Sequence, residues 1–84
     1  MADSIPPDGT EDRLRWLEKE AERAYSGIYD VPFGAGTTGL YSDAKQFLHD
    51  AIALALRLGK REDAERSTER LAHIKAVFRS QFPG

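Results

Sequence analysis

Three glycines stand in a spacing that serves nucleotide binding in other folds. Gly34, Gly36 and Gly39 spell G-x-G-x-x-G, in which glycines let a pyrophosphate approach the backbone at the start of a helix. That mechanism needs a strand before the motif and a helix directly after it. We expect a helix before the motif here, and three further residues before the next helix. We therefore interpret residues 34–39 as a glycine-rich connection, and nucleotide binding through them stays an alternative function.

A serine and a lysine also stand at a catalytic spacing. Ser42 and Lys45 spell S-x-x-K, in which penicillin-recognising enzymes place the serine that becomes acylated. The likeness is confined to these letters, because the companion sequences Ser-Asp-Asn and Lys-Thr-Gly are absent from the chain. We interpret Ser42 as the N-cap of a helix, with Asp43 in its first turn.

The chain has few of the histidine and cysteine residues that bind metals or form catalytic triads. The chain has two histidines and no cysteine. His49 and His73 fall on different predicted helices, and neither has a second histidine four residues away. A helical zinc site uses that spacing. We expect no enzyme activity, no cofactor and no metal site, and we interpret both histidines as solvated.

Basic residues on the last predicted helix are candidate anion contacts. They are Arg66, Arg70, Lys75 and Arg79. Nucleic-acid backbones bind such arrays of basic side chains. Three glutamates interleave with them, however, and the net charge of the chain is −2. Nucleic-acid or anion binding by this helix therefore stays an alternative function, and we do not expect nucleic acid as the partner.

Aromatic residues gather around the glycine-rich segment. Tyr25, Tyr29, Phe33 and Tyr41 predict either a small core that holds a loop against the helices or a pocket for a peptide or small ligand. We expect the loop to run from residue 29 to residue 41. Loops of this length in compact domains are often functional.

Apolar spacing predicts three helices and no strand. Helix 1 is expected from Glu11 to Ser26, after an N-cap at Thr10, and with Gly27 as its C-terminal cap. Helix 2 is expected over 43–58 and helix 3 over 61–81. Gly59 ends helix 2 and leaves a short link, which predicts an antiparallel hairpin of helices 2 and 3. The fold class is therefore all-α, a small three-helix domain with helix 2 in the centre.

The predicted core follows the apolar stripes of the three helices. Residues 10–84 form one helical domain in this interpretation, and residues 1–9, with two adjacent prolines, form a flexible N-terminal arm. Expected core residues are Leu17, Ala21, Phe47, Leu48, Ala51, Ile52, Ala55, Leu58, Leu71, Ile74 and Phe78.

Surplus apolar residues and charge distribution predict self-association. Trp16, Leu56 and Val77 fall outside the three stripes and are candidate interface residues. Residues 1–30 hold eight acids and four bases, whereas residues 57–84 hold seven bases and four acids. An acidic first helix therefore lies beside a basic last helix, within one chain or across a dimer. We expect a non-catalytic interaction module, a homodimer, with an unidentified protein partner as an alternative.

The compartment is inferred from what the sequence does not contain. The N-terminus has neither a basic segment nor an apolar segment of a signal peptide, and the longest apolar run is far below the ~20 residues of a membrane span. Zero cysteines fit a reducing compartment. We expect a bacterial cytoplasmic protein that does not enter the membrane.

Overall fold

The computed structural model describes residues 5–31 and 36–81. Within these residues the chain forms three α-helices and no strand: α1 (Glu11–Gly27), α2 (Thr37–Arg57) and α3 (Arg61–Gln81). Both α1 and α3 pack along α2, which is therefore the central helix. The predicted all-α domain with a central second helix is confirmed, and the predicted bounds of α3 agree with the structure.

The start of α1 is capped as its sequence predicts. The backbone N–H of Arg13 donates to the Thr10 hydroxyl at 3.1 Å, which satisfies one of the unpaired donors of the first turn. The same hydroxyl donates to the carbonyl of Pro7 at 2.7 Å. Arg13 also donates to the carbonyl of Pro6 at 2.9 Å. These contacts attach residues 6–7 of the predicted arm to the first turn of α1.

The end of α1 differs from the prediction. Gly27 is the last helical residue, and it lacks the positive φ of a glycine cap. It lies beside Leu40 of α2, where a Cβ at position 27 would meet Cδ1 of Leu40 at 3.4 Å, an ordinary van der Waals distance. Gly27 and Leu40 thus lie where α1 and α2 contact each other at this end of the bundle.

The predicted start of α2 is wrong by six residues. The helix begins at Thr37, directly after Gly36, which has a φ of 76°. Ser42 is therefore an exposed residue within α2 and not its N-cap. The helix passes through Gly39, although glycine disfavours a helix by about 1 kcal/mol relative to alanine. Packing of Leu40 against Gly27 and of Tyr41 against α3 offsets that cost.

The link between α2 and α3 forms the predicted glycine turn. Gly59 has a φ of 73°, and its N–H donates to the carbonyl of Leu56 at 3.1 Å. The N–H of Lys60 donates to the carbonyl of Ala55 at 2.8 Å, which completes a Schellman motif. The chain then reverses direction, and α3 returns antiparallel along α2. Tyr41 stacks on Phe78 at the far end of this hairpin, with ring centroids 3.8 Å apart.

Two clusters of buried residues make up the core. The first joins α1, α2 and the start of α3, and it contains Leu14, Leu17, Ala51, Leu54, Ala55 and Ala64. The second joins the middle of all three helices, and it contains Ala21, Leu48, Leu71 and Ile74. Many of these residues are alanines, so the helices pack closely around α2.

Most of the predicted core is buried as expected, and four of its members are only half-buried. Phe47, Ile52 and Leu58 pack against the clusters from their edge, and Phe78 stacks on Tyr41. Buried residues that the prediction left out are Leu14, Ala24, Ile28, Thr37, Ala44, Leu54, Ala64 and Ser67.

Candidate functional site

Charged side chains join α1 to α3 in a ladder whose partners are 48 residues apart. Its rungs are Arg15–Asp63 at 3.4 Å, Glu18–Arg66 at 3.2 Å and Glu22–Arg70, with two hydrogen bonds of 2.6 Å. The constant separation shows that α1 and α3 run parallel and in register. The acidic first helix and the basic last helix therefore meet within one chain.

The ladder shifts the pKa values of its members. The hydrogen bond from Arg66 to Asp63 is the main cause that lowers the pKa of this carboxyl, and Arg15 adds a second hydrogen bond. Hydrogen bonds to the same carboxylate raise the pKa of Arg15 and of Arg66. The bidentate contact with Glu22 raises the pKa of Arg70. Ionisation of the ladder is thus coupled to the folded state.

We expect Asp63→Asn to reduce the acid sensitivity of the fold. Because its pKa is depressed in the folded state, Asp63 contributes stability above the unfolded value of about 3.9, and that contribution is lost as the pH falls through the lower folded value. Urea midpoints measured from pH 6 to pH 2 should therefore fall less steeply in the variant, which is also less stable at pH 6. Parallel pH profiles for the two proteins would contradict this role of Asp63.

The predicted anion contacts fall into two groups. Arg66 and Arg70 are engaged with Glu18 and Glu22 across the ladder. A depression of about 220 Å³ lies beneath these four side chains, with Leu48 and Ser67 also in its wall. Lys75 and Arg79 lie farther along α3.

The tyrosines of the predicted loop cluster lie at one end of the bundle. The rings of Tyr25 and Tyr29 meet edge to face at 5.7 Å, and the Tyr29 hydroxyl donates to Oε1 of Gln81 at 2.9 Å. The contact with Tyr29 is the main cause that raises the pKa of Tyr25. Tyr41 belongs to α2, and Lys45 lies over its ring at 4.4 Å. Phe33 lies outside the described residues, so the pocket stays a prediction.

The glycine motif overlaps the start of α2, whereas the sequence predicts three residues between the motif and the helix. Gly36 precedes the helix and Gly39 lies in its first turn, whereas Gly34 is outside the described residues. Asp43 lies in the second turn, so the expected carboxylate in the first turn is absent there.

His49 and His73 are exposed on different helices. In the described ranges, no group of three or more metal-ligating side chains is placed to hold an ion.

The candidate interface residues lie on different surfaces. Trp16 packs edge to face on Phe47 at 5.8 Å and is half-buried. Phe47 lies nine residues before Leu56, which places the two on opposite sides of α2 at about 100° per residue. Val77 is half-buried on α3. Of the three predicted residues, Leu56 is the exposed one, with 61% of its surface accessible.

Leu56 lies in an open depression between α2 and α3. Its volume is about 450 Å³, and its walls are formed by Ile52, Leu56, Arg61, Ala64, Glu65, Thr68 and Glu69. The apolar part comes from α2 and from the first turn of α3, and the glutamates come from the exposed side of α3. The result is a half-buried apolar surface, open to solvent, whose rim carries two glutamates and Arg61.

Charged residues on this side of α3 differ from those of the ladder. Glu65, Glu69, Lys75 and Arg79 have no ion-pair partner in the part of the chain that the structure describes. Arg61 and Glu65, which are four residues apart, form no ion pair among the described residues, and Arg66 binds Asp63 at 2.6 Å. We refer to Glu65, Thr68, Glu69, Ala72, Lys75, Ala76 and Arg79 as the outer face of α3.

None of the helices in the described ranges is long and apolar enough to cross a membrane. In comparisons with known proteins, no family model, curated protein or solved structure matches the chain.

Proposed function

We propose that this protein is a non-catalytic helical interaction module that forms a homodimer through the depression between α2 and α3. The observation that carries the proposal is Leu56, which is 61% exposed beside the half-buried Ile52 and the small Ala64. A leucine side chain gains about 1.5–3 kcal/mol when it is fully buried. A second copy of the chain supplies that burial without any other partner.

The size of the domain adds to this argument. A chain of 84 residues buries only about 60% of its unfolded surface, and small domains commonly gain stability from disulfides, metals or association. The chain has no cysteine, so disulfides are excluded. Stable interfaces bury about 800 Å² on each partner. The proposed contact therefore extends from the depression onto the outer face of α3.

We expect Leu56→Lys to convert the dimer into a monomer that remains folded. The lysine places a charge in the apolar part of the contact, while its methylenes and its helix propensity suit the exposed position. Sedimentation velocity over a range of micromolar concentrations measures the change. The matched control is Ala53→Lys, the same charge on an exposed residue of α2 that lines a different depression. Wild-type protein that is monomeric at every concentration would contradict the proposal.

The other functions predicted from the sequence receive less support from the geometry. Arg66 and Arg70 are paired with α1 carboxylates, so an anion has to displace those contacts to bind them. The glycine motif follows a helix in this fold, and not the strand that dinucleotide binding uses. A cytoplasmic location remains part of the proposal, based on the absence of cysteine.

A further inference from the structure

We infer that the two copies pair antiparallel along the outer face of α3, with the two-fold axis passing next to Ala72. The inference rests on the proposed homodimer and specifies its geometry. It depends on three properties of the outer face: the order of its charges, their lack of partners among the described residues, and the small side chains at its centre.

The order of charges along the outer face is antisymmetric about Ala72. Glu69 and Lys75 each lie three residues from Ala72, and Glu65 and Arg79 each lie seven residues from it. These separations keep the residues on one side of a helix that has 3.6 residues per turn. The first half of the face is therefore acidic and the second half is basic.

A two-fold axis perpendicular to α3 converts this order into complementary pairs. Residues at equal distances before and after the axis then face one another in an isologous contact. Glu69 faces Lys75 of the partner subunit, and Glu65 faces Arg79 of the partner subunit. A parallel arrangement brings acid against acid and base against base, so electrostatics selects the antiparallel one.

The middle of the outer face suits close helix packing. Ala72 and Ala76 are exposed and small, so a second helix can approach them closely. The Thr68 hydroxyl donates to the carbonyl of Ala64 at 2.8 Å. A partner can therefore cover Thr68 without leaving an unpaired donor.

The same arrangement brings the depression into the contact. Glu65 and Leu56 both line it, so a partner's Arg79 that pairs with Glu65 lays its methylenes over Leu56. Long basic side chains commonly cover apolar surface in this way while their charged ends stay in water. The two glutamates at the rim of one copy thus face the basic half of α3 of the other copy.

Two charge-reversal variants test the pairing. One carries Glu65→Lys with Glu69→Lys, and the other carries Lys75→Glu with Arg79→Glu. Each alone presents like charges to its own copy, so each should be at least tenfold weaker than wild type in self-association. The heterodimer of the two variants contains only opposite pairs, so an equimolar mixture should form a 1:1 heterodimer, measured by sedimentation velocity. Circular dichroism of each variant verifies that the helices are retained.

A cysteine placed next to the axis gives an independent test in a chain that has none. Under mild oxidation, Ala72→Cys should give a disulfide-linked dimer, because two copies of the residue meet there. The matched control is Ala76→Cys, four residues along the same face. Its two copies lie about 12 Å apart along the helices, at 1.5 Å per residue, beyond the roughly 7 Å limit for Cα atoms that a disulfide joins.

The outcomes separate this geometry from the proposed function. Tenfold weakening, recovery in the mixture and selective crosslinking through Ala72→Cys would establish the antiparallel contact. If both charge variants remain dimers and the two cysteine variants crosslink equally, the geometry is wrong. The homodimer itself still stands in that case, provided that Leu56→Lys dissociates it. A wild-type monomer at all concentrations overturns both.

Discussion

Leu54→Ala should lower the stability of the fold severely, whereas Leu56→Ala should leave it nearly unchanged. The two substitutions delete the same atoms two residues apart on α2. Leu54 is 2% exposed within the first core cluster, and Leu56 is 61% exposed. Removing a buried leucine costs about 2–5 kcal/mol through lost transfer energy and the remaining cavity, whereas surface substitutions usually change stability by less than about 0.5 kcal/mol.

The comparison is informative because whole domains are only about 5–15 kcal/mol stable. Urea unfolding followed by circular dichroism measures both variants. The protein concentration is kept below the range in which association occurs, since dimer formation adds to apparent stability. Equal losses of stability in the two variants would mean that the rotational position of α2 is wrong. Leu56 would then be buried, and the proposed contact through it would have no support.

Helical periodicity alone predicted that Leu56 lies outside the apolar stripe of α2, whereas the buried Leu54 was left out of the predicted core. Residues two apart on a helix differ by about 200° in direction, so the apolar side that contains Leu54 leaves Leu56 beyond its edge. The bounds of α3, the cap at Thr10 and the turn at Gly59 also follow from local sequence. Each of these features depends on interactions within a few residues, which is why the sequence predicts them.

The start of α2 depends on distant packing and could not be predicted in the same way. Glycine-rich sequence favours a loop, and the helix through Gly39 forms because Leu40 and Tyr41 gain contacts with α1 and α3. The prediction for Gly27 was also wrong. A glycine after an apolar stripe is typical of a helix cap, whereas Gly27 is the last residue of α1, has no positive φ and lies beside Leu40.

The candidate site was predicted in part. Leu56 was identified as surplus apolar surface, but Trp16 was grouped with it although it packs on Phe47 at another surface. The unequal charges of the two ends predicted neighbouring helices, yet not which residues pair. That choice requires the register of α1 against α3, which no pattern within either helix contains.

The charged residues of α3 therefore form two groups on different sides of the helix. Those that face α1 form the ladder and fix the position of α3 within the chain. Those of the outer face have no partner in the described part of the chain, and in the proposed dimer they pair with a second copy. The same alternation of Glu and Arg or Lys that argues against nucleic-acid binding thus serves folding on one side of the helix and, in the proposed dimer, recognition on the other.

Charge reversal on the α1 side of the ladder should destabilise the fold, and charge reversal on both sides should restore part of the loss. We expect Glu18→Arg with Glu22→Arg to cost about 2 kcal/mol. An exposed ion pair contributes up to about 1 kcal/mol, and here two attractions become repulsions from Arg66 and Arg70. Unfolding free energies from urea titration at low salt measure the change, and high salt should reduce it because these groups are partly exposed.

A variant with charges reversed on both helices shows whether the loss of stability comes from the ion pairs or from a change in helix propensity. Adding Arg66→Glu and Arg70→Glu rebuilds the Glu18–Arg66 and Glu22–Arg70 rungs with exchanged signs, so part of the lost stability should return, up to about 1 kcal/mol for each rebuilt pair. The contacts of Glu18 with Arg15 and of Arg66 with Asp63 become like-charge pairs, and the contact of Arg70 with the Tyr25 ring, 5.2 Å from its centroid, is lost, so the return is incomplete. A fourfold variant that is no more stable than the double variant would show that α1 and α3 are aligned by their contacts with α2 alone, and that the ladder is a consequence of the register.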